Sequence, residues 1–190
     1  MELKGKTVWF LGSSVTYGAT SGGVSFAELM AERCEMHYLK EAVSGTVLAD
    51  IEENSYVARL KKLDTTQKPD LFICQLSTND ANPARVTLQQ TEDAVRFILE
   101  YVTTTFGCPI VFYTGTYFEN ERYVEMIEML YRLQKEYSFY ILDFYNDETM
   151  RNINENLYRE YMSDPVHPTL KGYAEWWTPK FIEFCKALPV

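Results

Sequence analysis

The sequence predicts an α/β fold built on a mostly parallel sheet of roughly five strands. Short apolar runs alternate along the chain with longer amphipathic runs, the order expected for strand–helix–strand units. The apolar runs are continuous, so we expect each strand to be covered on both faces, as in parallel sheets. No Pro-, Ser- or Gly-rich linker divides the 190 residues, and we expect a single domain spanning residues 1–190.

Apolar segments of strand length give the predicted order of the sheet. The first strand covers residues 7–11, and a second is expected just after His37. Three more strands cover residues 70–76, 110–113 and 139–143. In such sheets, ligand sites form beyond the carboxyl ends of the strands. The loops that follow the strands are therefore the candidate site segments, at residues 12–18, 44–46, 77–82, 114–120 and 143–148.

The segments between the strands carry helix signals. Ser25 and Glu28 form a capping-box pattern ahead of an apolar stripe. Apolar residues within 95–102 recur at helical spacing, and a Glu- and Met-rich helix is predicted over about residues 120–136. Thr169 is placed to cap a final helix near the C-terminus.

Composition limits the partners of the chain. A net charge of −9 argues against nucleic acid or an anionic membrane surface as the main partner. The four cysteines are far apart and form no CxxC pair, so we expect free thiols rather than a disulfide framework or a metal site. The N-terminal segment lacks a signal-peptide pattern and no apolar run is long enough to span a bilayer, so a cytoplasmic location is expected. None of these features defines the oligomeric state.

Ser14 is the candidate nucleophile. It follows the first strand directly, where a serine hydroxyl can be exposed and its own N–H left free to donate. Taken alone, Ser14 is better explained as a turn or helix-cap serine. The surrounding residues are not the GxSxG elbow of α/β-hydrolases, because Thr16 stands where the second glycine belongs.

Two further loops could supply hydrogen-bond donors for an anionic intermediate. Asn79 comes soon after the predicted strand at 70–76, and its side-chain amide could donate to an oxyanion. The alternative is an Asn-Asp turn or a helix cap. Gly45 could be an ordinary turn glycine, or it could let a backbone N–H approach a substrate oxygen closely.

His167 is the candidate general base, with Asp164 three residues before it. The prolines at 165 and 168 restrict the two residues that precede them, which could hold the carboxylate against the imidazole. The alternative is a loop ion pair beside a helix cap. The only other histidine, His37, precedes a predicted strand and therefore lies at the wrong edge of the sheet.

These motifs occur in one order along the chain, and together they are more specific than any of them alone. They are residues 12–14, Gly45, residues 77–80 and residues 164–167. In this order the sequence resembles the SGNH hydrolase family, also called GDSL-like lipases and esterases. The resemblance implies a flavodoxin-like, three-layer α/β/α sandwich and a serine esterase that uses no metal or organic cofactor.

The resemblance also implies a role for each matching residue. Ser14 would be the nucleophile, His167 the base and Asp164 the residue that orients the base. The N–H groups of Ser14 and Gly45 and the side chain of Asn79 would form the oxyanion hole. The implied reaction is hydrolysis of an acyl ester through an acyl-enzyme intermediate.

The sequence departs from the family pattern at two positions. Ser13 replaces the usual aspartate before the nucleophile, and Ser77 replaces the usual glycine of the Gly-x-Asn-Asp motif. Both are candidate substrate-binding residues. The change at Ser13 does not touch the triad, and we expect the side chain of Ser77 to affect substrate choice more than activity. Tyr17 and Tyr117 fall on the candidate loops and could contact a sugar or aryl group. A chain this short has no room for a separate lid domain, so short acyl groups such as acetyl are expected.

Other functions remain open from the sequence. The hydroxyl-rich loop at residues 13–16 could bind phosphate at a helix N-terminus. Against this, the loop has no lysine and no GxGxxG or GxxxxGK[ST] pattern. An acyltransferase or thioesterase would use the same triad, and a non-catalytic carbohydrate-binding relative would retain the same fold.

Overall fold

Five parallel strands form one sheet in the order β2-β1-β3-β4-β5. The structure is a computed structural model and describes residues 1–189. The predicted α/β fold is confirmed, and the sheet is parallel throughout rather than mostly so. The strands are β1 (Thr7–Gly12), β2 (His37–Ala42), β3 (Leu71–Gln75), β4 (Ile110–Tyr113) and β5 (Tyr140–Leu142).

Helices connect the strands and follow the last one. Ser25 and Glu28 form the predicted capping box, and Thr169 accepts the N–H of Gly172 as the predicted cap. The α-helices are α1 (Ser14–Tyr17), α2 (Phe26–Cys34), α3 (Tyr56–Leu60), α4 (Leu88–Thr105), α5 (Glu121–Leu133), α6 (Glu148–Arg151), α7 (Glu155–Tyr161), α8 (Leu170–Gly172) and α9 (Thr178–Ala187). A 3₁₀ turn covers Thr78–Ala81 and a π-helical turn covers Tyr173–Trp177.

The sheet is buried on both faces, which explains the continuous apolar runs. Along β1, Trp9 and Leu11 pack into one apolar cluster, which includes residues of α3, α4 and α5. Val8 and Phe10 point the opposite way into a second cluster with α2 and α9. Because successive strand residues face opposite sides, β1 supplies both halves of the core. The result is the expected three-layer α/β/α arrangement.

The strand order places the candidate site at a topological switch point. The chain leaves β1 for β2 on one side and then returns to form β3 on the other side of β1. Loops that leave the two neighbouring strands β1 and β3 therefore diverge, which opens a crevice at their carboxyl ends. Ser14 and Asn79 lie on these two loops. No helix within residues 1–189 is both long enough and apolar enough to cross a membrane.

Candidate active site

Ser14 lies at the first residue of α1, where β1 turns sharply into the helix. A side chain at Gly12 would place its Cβ 1.7 Å from Thr16 Oγ1, so the tight turn requires glycine at this position. The backbone N–H of Ser14 has no acceptor within its own helix, because it belongs to the first turn. Ser14 is 8% exposed, so its side chain is accessible only in part. The turn thus presents a hydroxyl and a free N–H at the carboxyl end of β1.

A continuous set of hydrogen bonds links the serine, the histidine and the aspartate. Ser14 Oγ lies 2.8 Å from His167 Nε2. On the other side of the ring, His167 Nδ1 lies 2.8 Å from Asp164 Oδ2 and 3.0 Å from Oδ1. A carboxylate can only accept, so Nδ1 carries the proton and Nε2 is left as the acceptor for the serine hydroxyl. The structure therefore brings together three predicted residues in the geometry of a nucleophile, a base and an orienting carboxylate.

Local backbone contacts hold Asp164 in place. Its Oδ1 accepts the N–H groups of Val166 at 2.8 Å and of His167 at 2.9 Å. Burial raises the pKa of the carboxyl, but hydrogen bonds from these N–H groups and from the imidazole outweigh it, and the pKa of Asp164 lies below its usual range. Asp164 is consequently ionised when it faces the histidine.

The loop after β2 and the 3₁₀ turn after β3 meet at the backbone carbonyl of Thr46. This oxygen accepts Asn79 Nδ2 at 2.9 Å and Ser77 Oγ at 3.2 Å. One N–H of the Asn79 amide is thereby used, and the second remains to donate elsewhere. Gly45 has a φ of +79°, which favours glycine. Its N–H has no acceptor within residues 1–189.

The buried side chain of Arg59 connects the turn that carries Ser14 to the loop that carries Gly45. The side chain is 6% exposed, and each of its five N–H groups has an acceptor within reach. Its terminal nitrogens lie 2.8 Å from the carbonyl of Gly12 and 3.2 Å from Thr46 Oγ1. The remaining contacts are to both the carbonyl and the carboxylate of Glu41 and to the carbonyl of Asn54. One buried guanidinium thus fixes the spacing of two loops that carry candidate oxyanion donors.

Two more buried polar residues support the same loops. Gln75, the last residue of β3, accepts the N–H of Ser13 at 2.9 Å and the hydroxyl of Thr16 at 2.9 Å. Asp80 is fully buried, and its carboxylate accepts the N–H of Leu48 at 2.8 Å. Burial raises the pKa of Asp80 above its usual value. Only weak sequence signals indicate these roles: a polar residue at the end of an apolar strand and an aspartate directly after Asn79.

The comparisons with known proteins agree with this geometry. A model of the GDSL-like Lipase/Acylhydrolase family matches residues 10–175. The chain belongs to this family. The resemblance noted from the motifs is therefore confirmed, and the protein is a member of a hydrolase family. No curated protein sequence matches the chain significantly.

Solved structures of other hydrolases share the fold of this GDSL-like family member. A lipolytic protein of the G-D-S-L family from Veillonella parvula has a TM-score of 0.76 at 16% identity, covering 96% of this chain and 99% of that one. The psychrotrophic esterase EstA from Pseudoalteromonas sp. gives 0.70 at 13% identity, with coverages of 95% and 97%. A family two carbohydrate esterase from Clostridium thermocellum gives 0.70 at 13% identity, with coverages of 99% and 67%. At these identities the likeness shows the fold alone.

The two departures from the family pattern lie beneath the surface of this GDSL-like protein. Ser13 and Ser77 are fully buried. The hydroxyl of Ser77 donates to Thr46 and accepts the N–H of Asn79 at 3.2 Å. These positions place neither side chain where a substrate approaches from solvent, in contrast to the substrate contacts expected from the sequence. Their physical role is to shape the turns on which Ser14 and Asn79 lie.

Tyr17 and Tyr117, the two tyrosines predicted to contact a sugar or aryl group, are exposed but lie in different surroundings. Tyr17 ends α1, with Lys40 Nζ 5.6 Å from its ring centroid. Tyr117 lies in the loop after β4, and the guanidinium of Arg151 is 4.5 Å from its ring centroid. The other histidine, His37, begins β2 at the opposite edge of the sheet and is exposed, as the sequence predicts.

Proposed function

We propose that the protein is a serine esterase that hydrolyses short-chain acyl esters through Ser14, His167 and Asp164. The observation that carries the proposal is the unbroken hydrogen-bonded path from carboxylate to imidazole to serine hydroxyl, with a shortest distance of 2.8 Å at each link. Membership of a lipase and acylhydrolase family and the esterases among its structural neighbours support the same reaction class.

The reaction follows from the positions of the donors and acceptors. His167 Nε2 takes the proton of Ser14 Oγ as the oxygen attacks the ester carbonyl. The N–H groups of Ser14 and Gly45 and the unused N–H of Asn79 stabilise the negative charge that develops on the carbonyl oxygen. His167 then protonates the leaving alcohol. In the second half-reaction it activates water, which releases the acid from Ser14.

Short acyl groups are the proposed substrates because the triad lies close to the surface. The side chains of His167 and Asp164 are 26% and 45% exposed. A long hydrocarbon chain would need an apolar channel at Ser14, whereas the loops that meet there carry the polar residues Ser13, Thr46 and Asn79. The structural neighbours include a carbohydrate esterase described in complex with cellohexaose, so acetylated sugars belong among the esters to be tested.

The test is hydrolysis of a panel of esters by the wild type and by two variants. We expect Ser14→Ala and His167→Ala each to lower kcat by about 10⁶-fold on a small activated acetyl ester, because each removes one half of the nucleophile–base pair. Ser163→Ala is the matched control, since it removes an exposed serine hydroxyl four residues before His167. It should retain wild-type turnover. Wild-type turnover in either triad variant would sink the assignment.

Covalent labelling gives a second, independent readout. An alkyl phosphonate should modify Ser14 in the wild type and leave the Ser14→Ala variant unmodified, as measured by peptide mass spectrometry. The Pseudoalteromonas esterase has been crystallised inhibited by monoethylphosphonate, which makes this class of reagent a reasonable probe. Across the ester panel, the highest kcat/KM on acyl chains of about eight carbons or more would reject the short-acyl proposal.

A further inference from the structure

A cavity next to α7, the helix that precedes Asp164 and His167 in the chain, has the lining of a small-molecule subsite. Its volume is about 230 Å³, and it lies between the loop after β4 and the segment that carries α6 and α7. Aromatic and aliphatic side chains form most of the wall, with one arginine and one glutamate at the rim. The lining residues are Thr116, Tyr117, Met150, Arg151, Ile153, Glu155 and Tyr158.

The cavity is bounded by the elements that carry both halves of the proposed active site. Helix α7, which contributes Tyr158, ends at Tyr161, and Met162 bridges to Pro168 directly after His167. On the opposite wall, a Cβ at Gly115 would lie 3.5 Å from the side chain of Thr78, the residue before Asn79. Both walls of the cavity therefore belong to segments that continue towards His167 and Asn79, and the charge of Asp164 acts on Tyr158 in the wall.

Arg151 is an unusual arginine in this acidic protein. Its guanidinium lies 4.5 Å from the ring centroid of Tyr117, and it makes no hydrogen bond or ion pair within residues 1–189. Stacking on an aromatic ring leaves the edge of a guanidinium free to bind an anion in a bidentate manner. Most other arginines are already paired with carboxylates: Arg59, Arg85, Arg96, Arg122, Arg132 and Arg159.

The remaining polar groups of the cavity are compatible with an anion. Glu155 is ion-paired with Arg159, so its charge is already compensated. The hydroxyl of Tyr158 makes no hydrogen bond within residues 1–189. Burial and the nearby charge of Asp164 raise the pKa of Tyr158, so the phenol stays protonated and can donate. A guanidinium and a phenol thus line this cavity, together with Thr116 and the compensated carboxylate of Glu155.

We propose that this cavity binds a singly charged carboxylate on the ester substrate, so that the preferred substrates are short esters carrying a carboxylate. The assignment rests on the proposed esterase function and names its substrate class. One guanidinium balances one negative charge, whereas a phosphate dianion would remain partly uncompensated. A volume of about 230 Å³ accommodates a chain of a few carbons with its carboxylate.

The decisive experiment compares two activated esters of equal chain length. The mono-4-nitrophenyl ester of succinate carries a carboxylate where 4-nitrophenyl butanoate ends in a methyl group. The pair 3-acetoxypropanoate and propyl acetate places the same difference on the alcohol side of the ester. We expect the wild type to have a higher kcat/KM for the charged member of at least one pair. Arg151→Gln should lower kcat/KM for that charged ester about tenfold and leave the neutral ester unchanged.

Arg33→Gln is the matched control, because it removes the same charge from an exposed arginine on α2 that makes no ion pair within residues 1–189 and does not line the cavity. It should leave the preference for the charged ester in place. Tyr158→Phe should reduce the preference by a smaller factor, since it removes one neutral donor and keeps the ring. The assignment is overturned if Arg151→Gln lowers kcat/KM equally for the charged and the neutral ester. It is also overturned if the wild type has the lower kcat/KM for the charged ester in every pair.

A binding measurement separates this proposal from the esterase proposal. The Ser14→Ala variant is titrated with monomethyl succinate by NMR, with and without Arg151→Gln. Weaker binding by about tenfold on loss of Arg151 supports the subsite even if no ester is hydrolysed, in which case only the esterase proposal fails. If esters are hydrolysed but neither kcat/KM nor binding depends on Arg151, the subsite proposal fails and the esterase proposal stands.

Discussion

The two halves of the candidate active site are held in place by different means. The nucleophile turn and the donor loops are fixed by buried side chains from distant parts of the sequence. Arg59 bonds to Gly12 across 47 positions, and Gln75 bonds to Ser13 across 62. The Asp164–His167 pair lies on one loop, and Asp164 is held by N–H groups only two and three positions away.

This difference separates two ways in which a substitution can affect catalysis. Losing a buried cross-link should disturb both the fold and the reaction, because several buried polar groups lose their partners at once. Losing a contact within the exposed loop should affect the reaction far more than the fold, since little buried structure depends on it. Activity and stability measured on the same variants therefore distinguish the two halves.

Among the substitutions that compare the two halves, the largest effect is expected from Asp164→Asn on activity. The asparagine amide would donate to His167 Nδ1, which shifts the ring proton to Nε2 and removes the acceptor for Ser14. We expect kcat/KM for a small acetyl ester to fall by about 10³–10⁴-fold. The free energy of unfolding at neutral pH should change by less than about 1 kcal/mol, because the pair is partly exposed. Urea unfolding followed by circular dichroism, beside the ester assay, measures both.

A large loss of stability in Asp164→Asn would contradict the comparison, since it would make the exposed loop a structural support. Retention of most activity would instead show that the carboxylate is not needed to set the tautomer of His167.

The second largest effect is expected from Arg59→Met. Loss of the guanidinium removes one donor from each of the carbonyls of Gly12, Glu41 and Asn54 and releases Thr46. The Gly12 carbonyl keeps only the longer contact from the N–H of Val43, at 3.3 Å. We expect the free energy of unfolding to fall by about 3 kcal/mol. In the folded fraction, kcat should fall about 10²-fold with little change in KM, because the displaced N–H groups act mainly on the transition state.

Arg85→Met is the control for this variant. Arg85 also contacts the Gly45 loop, at 2.7 Å from the Gly45 carbonyl, but from the exposed side and paired with Glu52. It should lower stability by less than about 1 kcal/mol and change kcat by less than about threefold. Equal effects of the two substitutions would remove the distinction between buried and exposed support.

The sequence predicts the sheet well because a strand that is buried on both faces requires an unbroken run of apolar residues. Strands β1, β3 and β4 are unbroken apolar runs in the sequence and are buried in the structure. Helices α6 and α7 are not predicted, because they are short and start only with isolated caps, Asp147 and Asn154. No sequence pattern therefore predicts the cavity that these two helices line.

The same reasoning explains which site residues can be predicted. Asp164 and His167 are close in sequence, so their spacing and the two prolines reveal the pair directly. Arg59 is one arginine in an ordinary helical segment, and nothing in its neighbourhood predicts that its side chain is buried. Its role appears only when the sheet brings Gly12 and Thr46 together around it. Contacts across long sequence distances are the part of the site that sequence patterns do not carry.

A smaller effect is expected from Ser77→Ala on the donor side of the site. The change removes a buried hydroxyl that accepts the N–H of Asn79 and donates to Thr46, whereas the amide of Asn79 keeps its own bond to Thr46. We expect stability to fall by about 1 kcal/mol and kcat/KM to fall about fivefold. The same assays as above measure both quantities. A loss of kcat as large as that of Arg59→Met would show that Ser77, rather than the guanidinium, sets the position of Asn79.

The smallest effect concerns the pH dependence of stability on the exposed side. Because the pKa of Asp164 is lowered in the folded protein, its charge stabilises the fold above its ordinary pKa of about 3.9, and this contribution is lost as pH falls through the folded value. Asparagine can still accept the N–H groups of Val166 and His167, so comparing wild type with Asp164→Asn isolates the charge.

The difference in unfolding free energy between these two proteins should be present at about pH 6 and vanish near about pH 2, remaining below about 1 kcal/mol throughout. Urea titrations at both pH values measure it. A difference that persists unchanged at the lower pH would mean that the carboxylate charge does not stabilise the loop. The backbone contacts of residue 164 alone would then hold His167 in place, and the exposed half of the site would owe its geometry to the turn rather than to the carboxylate charge.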